Sequence, residues 1–187
     1  MAVTRSVTVR NAELDSRATA WGASAKLRWY SGTMPANAGA ALSGNVLLAE
    51  FTLSPAAASG GVKAFVPSTL NATAQAAETV SFYRVYNSTG ATCHEQGTVS
   101  YTAAAWAIST AYAVGDKKLA NGNVYNCTTA GTSAASGTGP SGTGSGIADG
   151  TCVWAYVSAL GDLTIDNPVL SNGQAVSQST LSLTAAA

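Results

Sequence analysis

The segment VLLAEFTL, residues 46–53, alternates its side chains in the way that a half-buried β-strand does. KLRWY at 26–30 and VSFYRVY at 80–86 show a similar period of two. The apolar members of the first segment share one face of the predicted strand: Leu47, Ala49, Phe51 and Leu53. These three segments therefore predict strands that bury one face in a common core.

Further short strands are predicted along the chain, separated by turn residues. CHEQGTVS at 93–100 follows the turn signal Ser88-Thr89-Gly90. LTI at 163–165 and VSQSTLSLT at 176–184 flank Asn172-Gly173, a dipeptide typical of hairpins. Such strands, set between Gly, Asn and Pro clusters, are typical of antiparallel sandwiches and barrels. We expect a mainly β chain: an antiparallel, jelly-roll-like β-sandwich with one short N-terminal helix and a small inserted β module.

The one predicted helix covers VRNAELDSRATA, residues 9–20. A helix would turn Arg10 and Glu13 to a polar side, and Gly22 marks its expected end. Four residues lie at spacings that a helix turns to the other side: Ala12, Leu14, Ala18 and Trp21.

The composition argues against several classes of function. Only 10% of the 187 residues are charged, against about 25% in an average soluble domain. Nine Lys and Arg residues balance nine Asp and Glu residues, so we expect no binding to nucleic acid or to anionic membranes. The longest apolar run, residues 103–108, falls far short of the roughly 20 residues that span a bilayer. The stretch MAVTRSVTVRNAELD has no apolar core of a secretory signal, so we expect none.

Composition changes between about residues 101 and 160, where aromatic residues surround the tract TTAGTSAASGTGPSGTGSG, residues 128–146. The tract has neither aromatic nor charged residues, so we expect a mobile loop. After residue 160 the Leu/Thr/Ser alternation returns. Because loop tips tolerate insertions, we expect one discontinuous β domain, residues 1–100 plus 160–187, and an inserted module, residues 101–159.

Three segments of the outer part carry a resemblance to a known family: residues 9–54, 82–100 and 161–185. They include the stretches VRNAELDSRATAWG, FYRVYNSTGATCHEQGTVS and GDLTIDNPVLSNGQ. Together they resemble a family of small virion proteins of tailed bacteriophages. In that family the QGTVS strand runs almost directly into the GDLTIDN segment, which implies that the residues between them are an insertion here. The resemblance implies a structural role in the virion, with capsid decoration as the expected one.

The insert carries a second resemblance, in the order Trp106, YAVGD at 112–116, GNVYNC at 122–127 and VWAYV at 153–157. This pattern is similar to chitin-binding-type carbohydrate-binding modules of phage tail fibres and chitinases. Sugar rings stack on flat apolar surfaces, so exposed aromatic rings would bind them, whereas a small module also needs aromatic rings for its own core. The candidate sugar-binding residues are Trp106, Tyr112, Tyr125, Trp154 and Tyr156.

The three cysteines raise the question of a disulfide. Cys127 and Cys152 lie on predicted neighbouring strands of the insert, and a bond between them would contribute about 3 kcal/mol by loop entropy. A reducing cytoplasm opposes that bond until the particle is released. Cys93 is expected to be a buried free thiol.

No pattern of catalytic residues is present in the sequence. His94, the single histidine, has no G-x-S-x-G motif to accompany it, the carboxylates are scattered, and no phosphate-binding loop occurs. The three cysteines and His94 lack the close Cys pair of structural zinc sites. We therefore expect that the protein is not an enzyme and that it binds no metal and no cofactor.

These observations favour a bacteriophage capsid decoration (cement) protein that stabilises the shell and displays the insert outward. Its expected partners are the major capsid protein and further copies of itself in a homo-oligomer, with host surface polysaccharide as a candidate for the insert. It would be made in the bacterial cytoplasm and reside on the outer capsid surface of the virion. The alternative is a tail or baseplate adhesin that binds host surface glycans.

Overall fold

A computed structural model describes residues 4–67, 71–178 and 181–185 of the chain. It is mainly β with one N-terminal helix, which confirms that part of the prediction. The helix α1 covers Val7–Trp21. Strands within the described residues are β1 Ala25–Tyr30, β2 Leu47–Pro55, β3 Val62–Pro67, β4 Asn71–Thr73, β5 Phe82–Tyr86, β6 Cys93–Tyr101, β7 Ala104–Ala105, β8 Ala111–Tyr112, β9 Lys117–Ala120, β10 Asn123–Thr129, β11 Gly131–Thr132, β12 Ile147–Asp149, β13 Cys152–Ala159, β14 Leu163–Ile165, β15 Ala175–Ser177 and β16 Leu181–Thr184.

The chain divides into two compact units, Met1–Thr98 with Val169–Ala187, and Val99–Pro168. That residues 1–100 and 160–187 fold together as one domain, with residues 101–159 as an inserted module, stays a prediction.

The first unit is built on antiparallel neighbours in the order β6-β5-β1-β2-β3-β16. Leu27 pairs with Phe51 of β2 on one side and with Val85 of β5 on the other, and all three side chains are buried. This row is the core-facing side that the alternation predicted. The opposite, outer face carries the intervening residues, since successive side chains of a strand point to opposite faces.

Helix α1 packs on the core-facing side of β3. The Ser6 hydroxyl caps its N-terminus by accepting from the Val9 N–H at 3.3 Å, and Gly22, with a positive φ of 84°, ends it. The Trp21 and Phe65 rings lie 4.5 Å apart. Leu14, Ala18 and Trp21 are buried as predicted, whereas Ala12 is exposed.

The outer face is also covered, at one end, by the segment 31–46. Tyr30, Phe82 and Tyr86 form a buried cluster there, against which Met34 and Leu42 of the segment pack. The sheet is therefore buried on both sides at this point, which explains why every residue of β5 is buried.

The second unit contains a five-stranded sheet in the order β12-β13-β10-β9-β7 and the short pair β8-β11. Strand β10 is central, pairing antiparallel with β13 and with β9. The last three residues of β6 also belong to this unit and pair in parallel with β14.

Three expectations about pairing are wrong. The strands on either side of Asn172-Gly173 do not form a hairpin: β14 pairs with β6 and β15 pairs with β4. The segment 176–184 is not one strand, because β15 and β16 join different partners, β4 and β3; residues 179 and 180 lie outside the described part. The expectation of antiparallel sheets is also wrong, because β6 pairs with β14 and β7 pairs with β9 in parallel. The seven-stranded sheet that β14 completes is therefore mixed, and it is barrel-like rather than clearly a sandwich.

Candidate functional site

The aromatic rings of the insert form the core of the second unit. Tyr125 and Trp154 have no exposed surface and Tyr112 is buried, while Trp106 and Tyr156 pack on them partly exposed. The Tyr112 and Trp154 rings meet edge to face at 5.1 Å. A ring without exposed surface cannot stack on a sugar, so glycan binding stays a prediction that rests on Trp106 and Tyr156.

A buried carboxylate organises these rings. Asp149 Oδ2 accepts from the indole N–H of Trp106 at 2.7 Å and of Trp154 at 3.1 Å, and its Oδ1 accepts from the Ala134 N–H at 3.0 Å. Asp149 is itself buried. Both indoles are therefore oriented by one acidic residue, which the sequence analysis treated as scattered.

The Gly/Ser/Thr tract is fixed to the unit by hydrogen bonds. Tyr125 donates its hydroxyl to the Gly142 carbonyl at 2.9 Å, and the Tyr156 N–H donates to the Gly144 carbonyl at 2.9 Å. Gly139 lies against the Trp106 ring so closely that an added Cβ would be 2.7 Å from it, and its φ is +85°. The tract thus covers one face of a candidate sugar-binding ring. Its hydrogen bonds connect it to the unit, whereas its composition predicted a mobile loop.

Two of the three thiols lie side by side in the second unit. Cys127 and Cys152 are free and buried, their side chains interact, and burial raises the pKa of both. A disulfide between them stays a prediction. Cys93 is free but only half-buried, so the expectation of a buried thiol is not met there.

Outward residues of β3 and β16 form an uncharged surface, which we call the β3–β16 face: Val62, Ala64, Val66, Ser182 and Thr184. Register places Ala64 opposite Ser182 and Val62 opposite Thr184 on one face. Val62 and Val66 are 40% and 46% exposed. Strand β16 ends the order of the sheet, so its outer edge has no partner strand within the described residues.

A polar row crosses the outer face elsewhere, and sequence analysis missed it. Register aligns Glu50, Arg28, Arg84 and Gln96 across four strands. Arg84 is 3% exposed although it is a cation. The only signal in the sequence was an arginine amid the apolar residues of the segment 80–86.

Residues considered for catalysis do not converge. His94 is exposed on β6, and the described residues contain no group of three or more His, Cys, Asp or Glu side chains placed to hold a metal.

Within the described part of the chain, no helix has the length and apolarity to cross a membrane. No family model, curated protein or solved structure matches this chain.

Proposed function

We propose that this chain is a structural protein of a tailed-phage virion, a capsid decoration protein that binds the major capsid protein as a homo-oligomer and displays its insert outward. The sequence resemblance of the outer part supports the family. The uncharged β3–β16 face is the observation that carries the role, because it offers apolar area with no charge to desolvate.

The finer architecture belongs to the same proposal. A jelly-roll-like sandwich in residues 1–100 and 160–187 requires a second layer of strands, and the short β4–β15 pair supports one. The outer edge of β16, which has no partner strand in the described part of the chain, supports self-association, because an unpaired strand edge is a template for another chain.

Attachment would proceed by burying this face across capsomer junctions. Each Å² of apolar surface removed from water contributes roughly 25 cal/mol before the costs of association. An interface of about 800 Å² on each partner is the usual size for stable association. The decoration would resist the outward pressure of packaged DNA mechanically, so no turnover is involved.

Copy number and position on the particle test this role. Quantitative mass spectrometry of purified virions should give hundreds of copies, and density maps should place them on the shell. A few to tens of copies at the tail would contradict decoration and would instead favour the alternative, a tail or baseplate adhesin.

The β3–β16 face is tested by Val66→Glu, which places a carboxylate in the proposed interface. Val9→Glu is the matched control, since Val9 on α1 is 47% exposed and Val66 is 46% exposed. Burying an unpaired charge should weaken attachment to virus particles from which this protein has been removed, by about 100-fold or more. Equal attachment of the two variants would show that this face does not contact the shell.

A further inference from the structure

We propose that the cavity beside Arg84 is a binding site for a carboxylate group. The cavity has a volume of about 380 Å³ and lies between the segment 38–42, the segment 91–93 and two residues of β5, Arg84 and Tyr86. All of these belong to the first unit.

Arg84 is a buried cation without a carboxylate partner. Five ion pairs occur among the described residues, and none of them involves Arg84. Glu50, the carboxylate in the same row, already contacts Arg28 at 2.6 Å and Lys26 at 3.6 Å. The outer face at this point therefore holds three cations and one carboxylate, and a buried charge in proteins is normally paired.

The hydrogen bonds of Arg84 leave part of the guanidinium free. One terminal nitrogen donates to the carbonyls of Ala38 and, at 2.9 Å, Ala40, and the other contacts the Tyr86 hydroxyl at 3.4 Å. The Nε–H has no partner either, but it is fully buried, so a ligand in the cavity could not reach it. The donor left for a ligand is the second terminal nitrogen, whose hydrogen bond to Tyr86 is long.

A carboxylate fits this site better than a phosphate does. It brings one negative charge that balances the charge of the guanidinium, and one of its oxygens can accept from Nη1, the terminal nitrogen that makes only the 3.4 Å contact with Tyr86. A phosphate brings nearly two charges and three strong acceptor oxygens, and would need more donors than Arg84 retains. The other polar groups at the cavity are neutral: the Tyr86 hydroxyl, the Thr92 hydroxyl and the Cys93 thiol, whose pKa is raised by burial.

The same chemistry could come from a small organic acid or from an acidic side chain of a neighbouring protein. The small side chains of Ala38, Gly39 and Ala91 leave the cavity mouth open to either. One charge-assisted contact of this kind corresponds to a Kd of about 10 mM for a free acid.

Cys93 provides a reporter, because it lines the cavity half-buried while the other two cysteines are buried. Alkylation of Cys93 by iodoacetamide is followed by mass spectrometry on the full chain, with sodium acetate replacing sodium chloride at constant ionic strength. At 100 mM acetate we expect about tenfold slower alkylation, from a Kd of about 10 mM. An unchanged rate would overturn the proposal.

Two variants separate binding at Arg84 from a general salt effect. Arg84→Gln should abolish protection by acetate, whereas Arg17→Gln, which removes a half-exposed cation of α1, should keep it. Because acetate would bind the folded chain, it should also raise the unfolding midpoint. If Arg84→Gln does not fold, Ala91→Leu fills the cavity from an exposed position and should abolish that rise. Protection that persists in folded Arg84→Gln, or an acetate-dependent rise in the unfolding midpoint that persists in Ala91→Leu, would refute the site.

The source of the carboxylate is assigned by comparing succinate with the blocked peptide acetyl-Ala-Glu-Ala-amide. Protection by succinate alone indicates a small organic acid. Equal protection by the peptide indicates a socket for an acidic side chain. Protection by acetate but by neither of these ligands would rule out both sources, because the cavity would then exclude any carboxylate larger than acetate.

Discussion

The replacement Asp149→Asn tests whether one carboxylate holds the aromatic core of the second unit together. It preserves the shape of the side chain but removes its charge. Asp149 accepts three N–H groups, from Trp106, Trp154 and Ala134. The asparagine oxygen can replace only one carboxylate oxygen, so either the two indoles or the Ala134 N–H would face an amide NH₂ group.

The magnitude follows from the hydrogen bonds. A hydrogen bond to a charged group contributes about 1.5–3 kcal/mol, and leaving a buried N–H without an acceptor has a comparable cost. With one bond lost and two weakened, the free energy of unfolding should fall by about 3 kcal/mol. In a unit of this size that corresponds to a drop of about 15 °C in unfolding midpoint.

The assay follows the indole N–H resonances of Trp106 and Trp154 by NMR during heating, because these two tryptophans belong to the second unit and Trp21 and Trp29 to the first. Asp166→Asn is the control, an exposed carboxylate in the same unit. A midpoint for Asp149→Asn within about 4 °C of the control would refute the reasoning.

Four further outcomes are expected. Deleting residues 104–158 and closing the gap with a short turn should leave a soluble protein that unfolds cooperatively; loss of folding would contradict the discontinuous domain. Attachment to particles should survive about 1 M salt, because little charge is available to screen, and release by salt alone would contradict this. The Lys63 hydrogen bond lowers the pKa of Asp15, so its stabilisation is present above the unfolded value of 3.8 and is lost as the pH falls through the lower folded value. Asp15→Asn should therefore lower the unfolding midpoint at pH 7 but converge with wild type in acid, while a constant difference would refute the pairing. Finally, particles lacking residues 104–158 should adhere less to host polysaccharide if the insert binds glycan, and equal adhesion would make the insert a spacer.

The strands predicted by alternation are those whose inner faces are apolar. Strands β1, β2, β5 and β6 lie within two residues of their predicted limits. Strand β3 was not predicted, because its phase is inverted: Lys63 points inward to Asp15 at 2.5 Å, while Val62 and Val66 point outward. The buried Lys63 interrupts the apolar pattern of the inward face, so the alternation of apolar residues does not predict this strand.

Pairing and burial depend on residues far apart in sequence, which explains the other differences. Asn172-Gly173 signals a turn locally, yet the partner of β15 is β4. The aromatic residues of the insert were recognisable as a group, but whether a ring is core or surface depends on the Gly-rich tract that covers it. Arg84 looked like an ordinary polar position, and its burial requires the segment 38–40 to fold over β5.

Several of the few charged residues in the first unit pair with one another. Lys63 pairs with Asp15 beneath α1, and Arg28 and Lys26 share Glu50 on the outer face. These pairs hold elements of the first unit together, while the β3–β16 face is left without charge. The proposed association through that face would therefore depend on apolar area and shape, which salt does not screen. Arg84 departs from this arrangement, since it is buried and makes no ion pair within the described residues, and this is the observation on which the proposed carboxylate site rests.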